Sequence, residues 1–124
     1  MPASKILFIE DEPDMLAVME PRLEQAGFKM ISAPNGIQGL RAAIDEKPDL
    51  ILLDILMPQM DGYETCERLK KDPQTKDIPV IIVTAVGSKT LGENCKFVGA
   101  NDFIRKPYNP EELIGKIKKL LGGK

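Results

Sequence analysis

Five polar residues stand where short apolar runs end. Glu10 and Asp11 follow Lys5-Ile6-Leu7-Phe8-Ile9, Asp54 follows Leu50-Ile51-Leu52-Leu53, Thr84 follows Val80-Ile81-Ile82-Val83, and Lys106 follows Asp102-Phe103-Ile104-Arg105. Carboxylates brought together repel one another and call for a compensating cation. A hard divalent ion, Mg²⁺ (or Mn²⁺), suits all-oxygen donors and binds one or two carboxylates together with waters and phosphate oxygens. Such an ion would keep Asp54 ionised, and a carboxylate that attacks phosphorus forms an acyl phosphate. Lys106 would place a point charge on the phosphoryl oxygens and Thr84 a hydroxyl donor. Phosphoryl transfer asks mainly for positioning and charge neutralisation, which these residue types supply. Taken singly, each has an ordinary reading: a strand-end Asp or Glu as turn or cap, a strand-end Thr, a solvated Lys. Their conjunction is what points to chemistry.

The conjunction requires parallel strands that bring their carboxyl ends to one sheet edge. Apolar runs of this length, bounded by turn signals, suit strands buried on both faces. The central stretch runs from Asp49 to Gly62, with Asp54 at the end of its apolar run and Pro58 and Asp61-Gly62 beyond. Helical spacing links Met15, Val18, Met19, Leu23 and Ala26, with Pro13 in the first turn and Gly27 as the stop. Pro21 falls inside that helix and predicts a bend near Ala17 to Pro21. A strand over Phe28 to Ala33 leads to a helix capped by Asn35, with Ile37, Leu40 and Ile44 as its core stripe. Asp61 opens a helix through Cys66 and Leu69, which Asp72-Pro73 ends. Leu91, Cys95 and Val98 predict a short helix weakened by Gly87 and Gly92. Asn109-Pro110 opens a final helix over Leu113, Ile117 and Leu120, stopped by Gly122. Five strand–helix alternations with short connections predict an α/β fold, a single doubly wound, five-stranded parallel sheet with helices on both faces. One domain over residues 1–124 is expected, with its core at about 5–121. In open sheets of this kind ligands bind at the carboxyl ends of the strands.

Composition narrows the function. The 124 residues carry 17 Lys plus Arg and 19 Asp plus Glu, a net charge of -2, which argues against direct nucleic-acid binding. Histidine is absent, so His-ligated metals, Ser-His triads and a phosphohistidine on this chain are excluded. Cys66 and Cys95 lie far apart, in no CxxC, and are expected to be small core residues. No apolar run approaches the roughly 20 residues of a membrane span. Met1 to Lys5 passes directly into a strand-like run with no signal peptide, so a cytoplasmic protein is expected.

The combination of Glu10-Asp11, Leu53-Asp54-Ile55-Leu56-Met57-Pro58 with Met60-Asp61-Gly62, Thr84-Ala85 and Lys106-Pro107 resembles the receiver domain of two-component response regulators, from roughly Lys5 to Leu121. The resemblance implies a bacterial, (βα)5 flavodoxin-like fold with strand order 2-1-3-4-5. It implies that Asp54 is the phosphoacceptor. Asp11 would ligate Mg²⁺ directly, Glu10 through bound water, and Leu56 through its backbone carbonyl. Thr84 and Lys106 would sense the phosphoryl group. Phe103 falls at the aromatic switch position, where the lack of a hydroxyl leaves ring packing alone. The Lys106–Pro107 bond is expected to be cis. The implied donor is a sensor histidine kinase or histidine phosphotransfer protein. The implied recipient is a downstream protein effector or a covalently linked output domain absent from this chain. Such a domain is a signalling switch and not an enzyme, although it catalyses its own phosphotransfer and its own autodephosphorylation. Leu56 and Val86 flank the site without a side chain that could orient water, so that decay is expected to be slow.

Two other readings stand beside this one. A phosphatase of the haloacid dehalogenase type would need a second Asp two residues beyond Asp54, where this chain has Leu56. A receiver-like interaction module would show no Mg²⁺-dependent phosphorylation.

Overall fold

The apolar runs become strands: β1 (Ser4–Ile9), β2 (Phe28–Ala33), β3 (Leu50–Leu53), β4 (Val80–Thr84) and β5 (Asp102–Arg105). The structure is a computed structural model that describes residues 3–56, 60–85, 87 and 89–122. All four pairings are parallel and the order is β2-β1-β3-β4-β5, the doubly wound topology expected. β3 and β4 are buried along their whole length because helices cover both faces.

Period-two alternation divides the strands between two cores. Leu7, Ile9, Ile51, Leu53, Val80 and Ile82 pack with Ala43 of α2 (Gly36–Glu46), Cys66 and Leu69 of α3 (Gly62–Lys71), and Leu91 and Cys95 of α4 (Leu91–Phe97). Ile6, Phe8, Leu50, Leu52, Ile81 and Val83 pack on the opposite face with Met19 and Leu23 of α1 (Pro13–Gln25) and Leu113 and Ile117 of α5 (Pro110–Leu120). The starts of α2, α3 and α5 follow local capping chemistry. Asn35 accepts from the Gln38 amide at 2.8 Å, Asp61 from Glu64 at 2.9 Å and Asn109 from Glu111 at 2.8 Å.

Two helices differ from the sequence-based expectation. On α1 (Pro13–Gln25), which carries the exposed Pro21 inside it, Val18 is 53% exposed instead of facing the core. On α2 the fully buried face is Gly36, Gly39 and Ala43; of the expected stripe of Ile37, Leu40 and Ile44, Leu40 packs against the core, Ile44 is half-buried and Ile37 is 55% exposed. The cause is close approach: a Cβ on Gly39 would lie 2.5 Å from Ile9 Cδ1, and one on Gly36 would collide with Thr65 Oγ1. Small residues let the helix sit tight on the sheet, and a search for large apolar side chains does not see such a face. Cys66 and Cys95 are buried and free, as expected. Met57, Pro58 and Val86, parts of the expected site motifs, lie outside the described residues.

Candidate functional site

Register brings the site together. Ile9 pairs with Leu53, so the next residues on the two central strands, Glu10 and Asp54, leave the sheet side by side. Their amides continue the ladder outward: Glu10 N–H donates to Ala33 O at 3.0 Å and Asp54 N–H to Ile9 O at 3.1 Å. Glu10 is fully buried and Asp54 is 3% exposed. On the far side Thr84 pairs with Arg105, and the Lys106 amide donates to Thr84 O at 2.8 Å. That bond fixes the direction in which the Lys106 side chain leaves β5. The Lys106–Pro107 peptide is cis, as expected.

The Lys106 ammonium lies between the two buried carboxylates, 2.9 Å from Glu10 Oε1 and 2.9 Å from Asp54 Oδ2, with Glu12 Oε1 at 3.8 Å. The other Asp54 oxygen accepts from the Leu56 amide at 3.0 Å. Leu56 itself is 58% exposed at the mouth of the site. Gly62 allows α3 to begin directly behind Asp54, because a Cβ there would run into Ile55 Cα and the Asp54 carbonyl. Thr84 is fully buried at the end of β4. Phe103 is paired with Ile82, half-buried against the core face that α4 covers; a Cβ on Gly92 would stand 3.4 Å from its ring.

The electrostatics follow from burial. Desolvation pushes Glu10 from 4.5 up to about 7; hydrogen bonding from Lys106 opposes this and the Asp54 charge adds to it. Burial alone would lower the Lys106 ammonium, but its hydrogen bonds and charge pairing with Glu10 and Asp54 outweigh that and hold it above the usual lysine range. Burial also pushes the Tyr108 phenol up to about 12, so it remains a donor at neutral pH.

Most of the expected residues converge, and one does not. Among the described residues, Glu10, Glu12 and Asp54 each present a carboxylate oxygen within 4.8 Å of the others. Asp11 is exposed and stands outside this group. Glu12 was not singled out in the sequence. The chain bends at Asp11 between β1 and α1, and no local sequence signal says which of Asp11 and Glu12 that bend turns toward the site. The donor set fits a hard divalent cation: it is all oxygen, and three carboxylates face one ammonium, leaving an excess of negative charge at the site.

Known proteins identify the family. The family model described as the response regulator receiver domain matches residues 6–118. The chain is 38% identical over 120 residues to the DNA-binding dual master transcriptional regulator RpaA of Synechocystis sp., covering 94% of this chain and 48% of RpaA. It is 40% identical over 121 residues to the phosphate regulon transcriptional regulatory protein PhoB of Pseudomonas aeruginosa, covering 98% of this chain and 53% of PhoB. The chain thus spans about half the length of these curated relatives. Among solved structures, it is similar to the receiver domain of a sensor histidine kinase from Pseudomonas aeruginosa that has a magnesium ion coordinated in its active-site cleft. The TM-score is 0.88 at 31% identity, covering 97% of this chain and 98% of that one.

Proposed function

Because this chain belongs to the response regulator receiver domain family, whose general function is a phosphorylation-activated switch, we propose that Asp54 is the residue it phosphorylates. The observation that carries the assignment is the Lys106 ammonium 2.9 Å from the Asp54 carboxylate at the carboxyl edge of the sheet. Asp54 is held by the Leu56 amide on one oxygen and by Lys106 on the other, so its orientation is set before a donor arrives. The donor is a phosphohistidine on a sensor kinase or a histidine phosphotransfer protein, since this chain has no histidine of its own. An Asp54 oxygen attacks phosphorus and the P–N bond breaks. Its electron pair leaves with the imidazole, which takes up a proton. Lys106 balances charge on the phosphoryl oxygens, and the Thr84 hydroxyl donates to one of them.

Glu10, Glu12 and Asp54 would hold the metal, with Asp11 and the Leu56 carbonyl as the further candidates. With the ion bound, these residues would have their excess carboxylate charge neutralised, which is the charge compensation that phosphoryl transfer needs. Occupation of Asp54 biases the β4–α4 connection and Phe103 toward a second packing, which presents a changed face to a downstream protein effector or to an output domain outside this chain. Leu56 offers no group to orient a water molecule, so the acyl phosphate hydrolyses slowly. Decay within a minute or less would overturn that point. Residues 1–124 act as a single receiver unit, and the two free thiols suit the reducing cytoplasm. Among the described residues, no helix is long and apolar enough to cross a membrane.

The test is intact-mass analysis after incubation with acetyl phosphate, with and without Mg²⁺, on the wild type and on Asp54→Asn. One added phosphoryl group that requires both the metal and Asp54 is the expected result. An adduct of equal yield on Asp54→Asn would move the acceptor elsewhere. A folded wild type that takes no adduct would make the chain a phosphorylation-independent interaction module.

A further inference from the structure

The segment that carries Lys106 is anchored on both sides. Behind it, the Lys106 amide donates to Thr84 O at 2.8 Å, tying it to the sheet. Ahead of it, the Tyr108 hydroxyl donates to the thioether Sδ of Met15 on α1 at 3.2 Å, a contact across 93 residues of sequence. Tyr108 and Met15 are half-buried and pack with the α1–α5 core, and both line the apolar groove of about 280 Å³ that also contains Lys106 and Glu12. The same helix begins just after Glu12, the third carboxylate facing the ammonium. One loop therefore holds the cation, one helix start holds an acid 3.8 Å from it, and the Tyr108–Met15 hydrogen bond joins the same loop to the same helix. The phosphotransfer reading uses neither Met15 nor Tyr108.

We propose that the Tyr108–Met15 contact is a positioning device for phosphotransfer: it holds the Lys106 segment against α1 so that the ammonium stays between Glu10 and Asp54, ready for the phosphoryl oxygens. Both are positioning residues, because neither touches the reacting atoms. A donor to sulfur is a weak bond in water, and here it is sheltered in a half-buried groove wall. Its loss frees two backbone steps between Lys106 and the ring of Tyr108. A sub-ångström displacement of an ammonium that must meet developing charge lowers the rate without unfolding the domain.

The inference rests on Asp54 as acceptor, and the experiment separates the two. Tyr108→Phe keeps the ring and removes the hydroxyl, and Met15→Leu keeps the volume and removes the sulfur. Each single variant and the double variant are phosphorylated with acetyl phosphate over a range of Mg²⁺ concentrations and followed by intact mass, with circular dichroism as the check on folding. Each single substitution is expected to lower the maximal rate by about 3- to 10-fold, the range that loss of one hydrogen bond supports. The Mg²⁺ concentration at half-maximal rate should stay put, since the carboxylates are untouched. The double variant should be no slower than the slower single variant, because both remove the same contact. Wild-type rates in both folded single variants, or losses that multiply in the double variant, overturn the device while leaving Asp54 as acceptor. A wild type that takes no phosphoryl group overturns the acceptor assignment and the device with it.

Discussion

The Lys106 ammonium lies 2.9 Å from the Asp54 carboxylate, with both side chains largely removed from solvent and the two residues 52 positions apart in sequence. A cation buried against carboxylates compensates charge that would otherwise stand unpaired in a region of low dielectric. Lys106→Met removes the compensation and leaves Glu10 and Asp54 facing each other. Removing one partner of a buried pair costs about 3–5 kcal/mol. Urea unfolding at pH 8 should show a loss of this order, and it should shrink toward pH 5 as Glu10 takes up a proton. Acetyl phosphate labelling should slow by at least about tenfold, the rate equivalent of one modest electrostatic contact. Unchanged stability and unchanged labelling would deny Lys106 both roles.

Glu10 gives the domain a pH dependence of definite sign. Its folded value is raised from 4.5 to about 7, first by burial. Between those limits the folded state holds a proton that the unfolded chain has released, so stability falls as pH rises. The contribution is fully present below about pH 4.5 and is lost as pH passes through about 7. Chemical denaturation of the wild type at pH 5 and pH 7.5 without metal should differ by up to about 3 kcal/mol from this group. In Glu10→Gln that component should vanish. A wild-type stability that rises across this window by the same amount in both proteins would contradict the assignment.

Divalent metal should stabilise the fold by mass action. Glu10, Glu12 and Asp54 are assembled only in the folded chain, so an ion that binds them favours that state. At a hundredfold excess over the dissociation constant the gain is about 2.7 kcal/mol, several degrees in melting temperature for a domain of this size. Mg²⁺ titration followed by calorimetry should show the rise in the wild type and a much smaller one in Asp54→Asn. Equal rises in the two proteins would remove Asp54 from the ligand set.

The tight seat of α2 predicts an unusual intolerance. Alanine is normally the better helix residue by about 1 kcal/mol. At position 39 the added methyl carbon would meet Ile9 Cδ1 at 2.5 Å and Ile9 Cγ1 at 2.8 Å. Gly39→Ala should therefore destabilise by about 1–3 kcal/mol, the usual cost of overpacking a core. The larger consequence is its address, because Ile9 directly precedes Glu10. Gly115→Ala on α5, where nothing lies within 4 Å, is the control and should be neutral or stabilising.

Much of this was readable in one dimension. Strand β3 is an apolar run with a carboxylate at its end, and the caps Asn35, Asp61 and Asn109 stand where their side chains must accept from the first turn. These signals are local: propensity, periodicity and capping act within a few residues, so the five alternations and the polar strand ends could be placed without coordinates. What the chain pattern could not supply was distance across the fold. That the third carboxylate near Lys106 is Glu12 and not Asp11 depends on how the backbone turns after β1 before α1 begins. That α2 buries glycines and an alanine, leaving Ile37 in solvent, depends on how near two elements may approach. The meeting of Tyr108 with Met15 depends on the side-by-side seating of α1 and α5. Local rules decide which element each residue joins. Packing decides which residues touch, because contact is set jointly by elements far apart in the chain and is specified by neither alone.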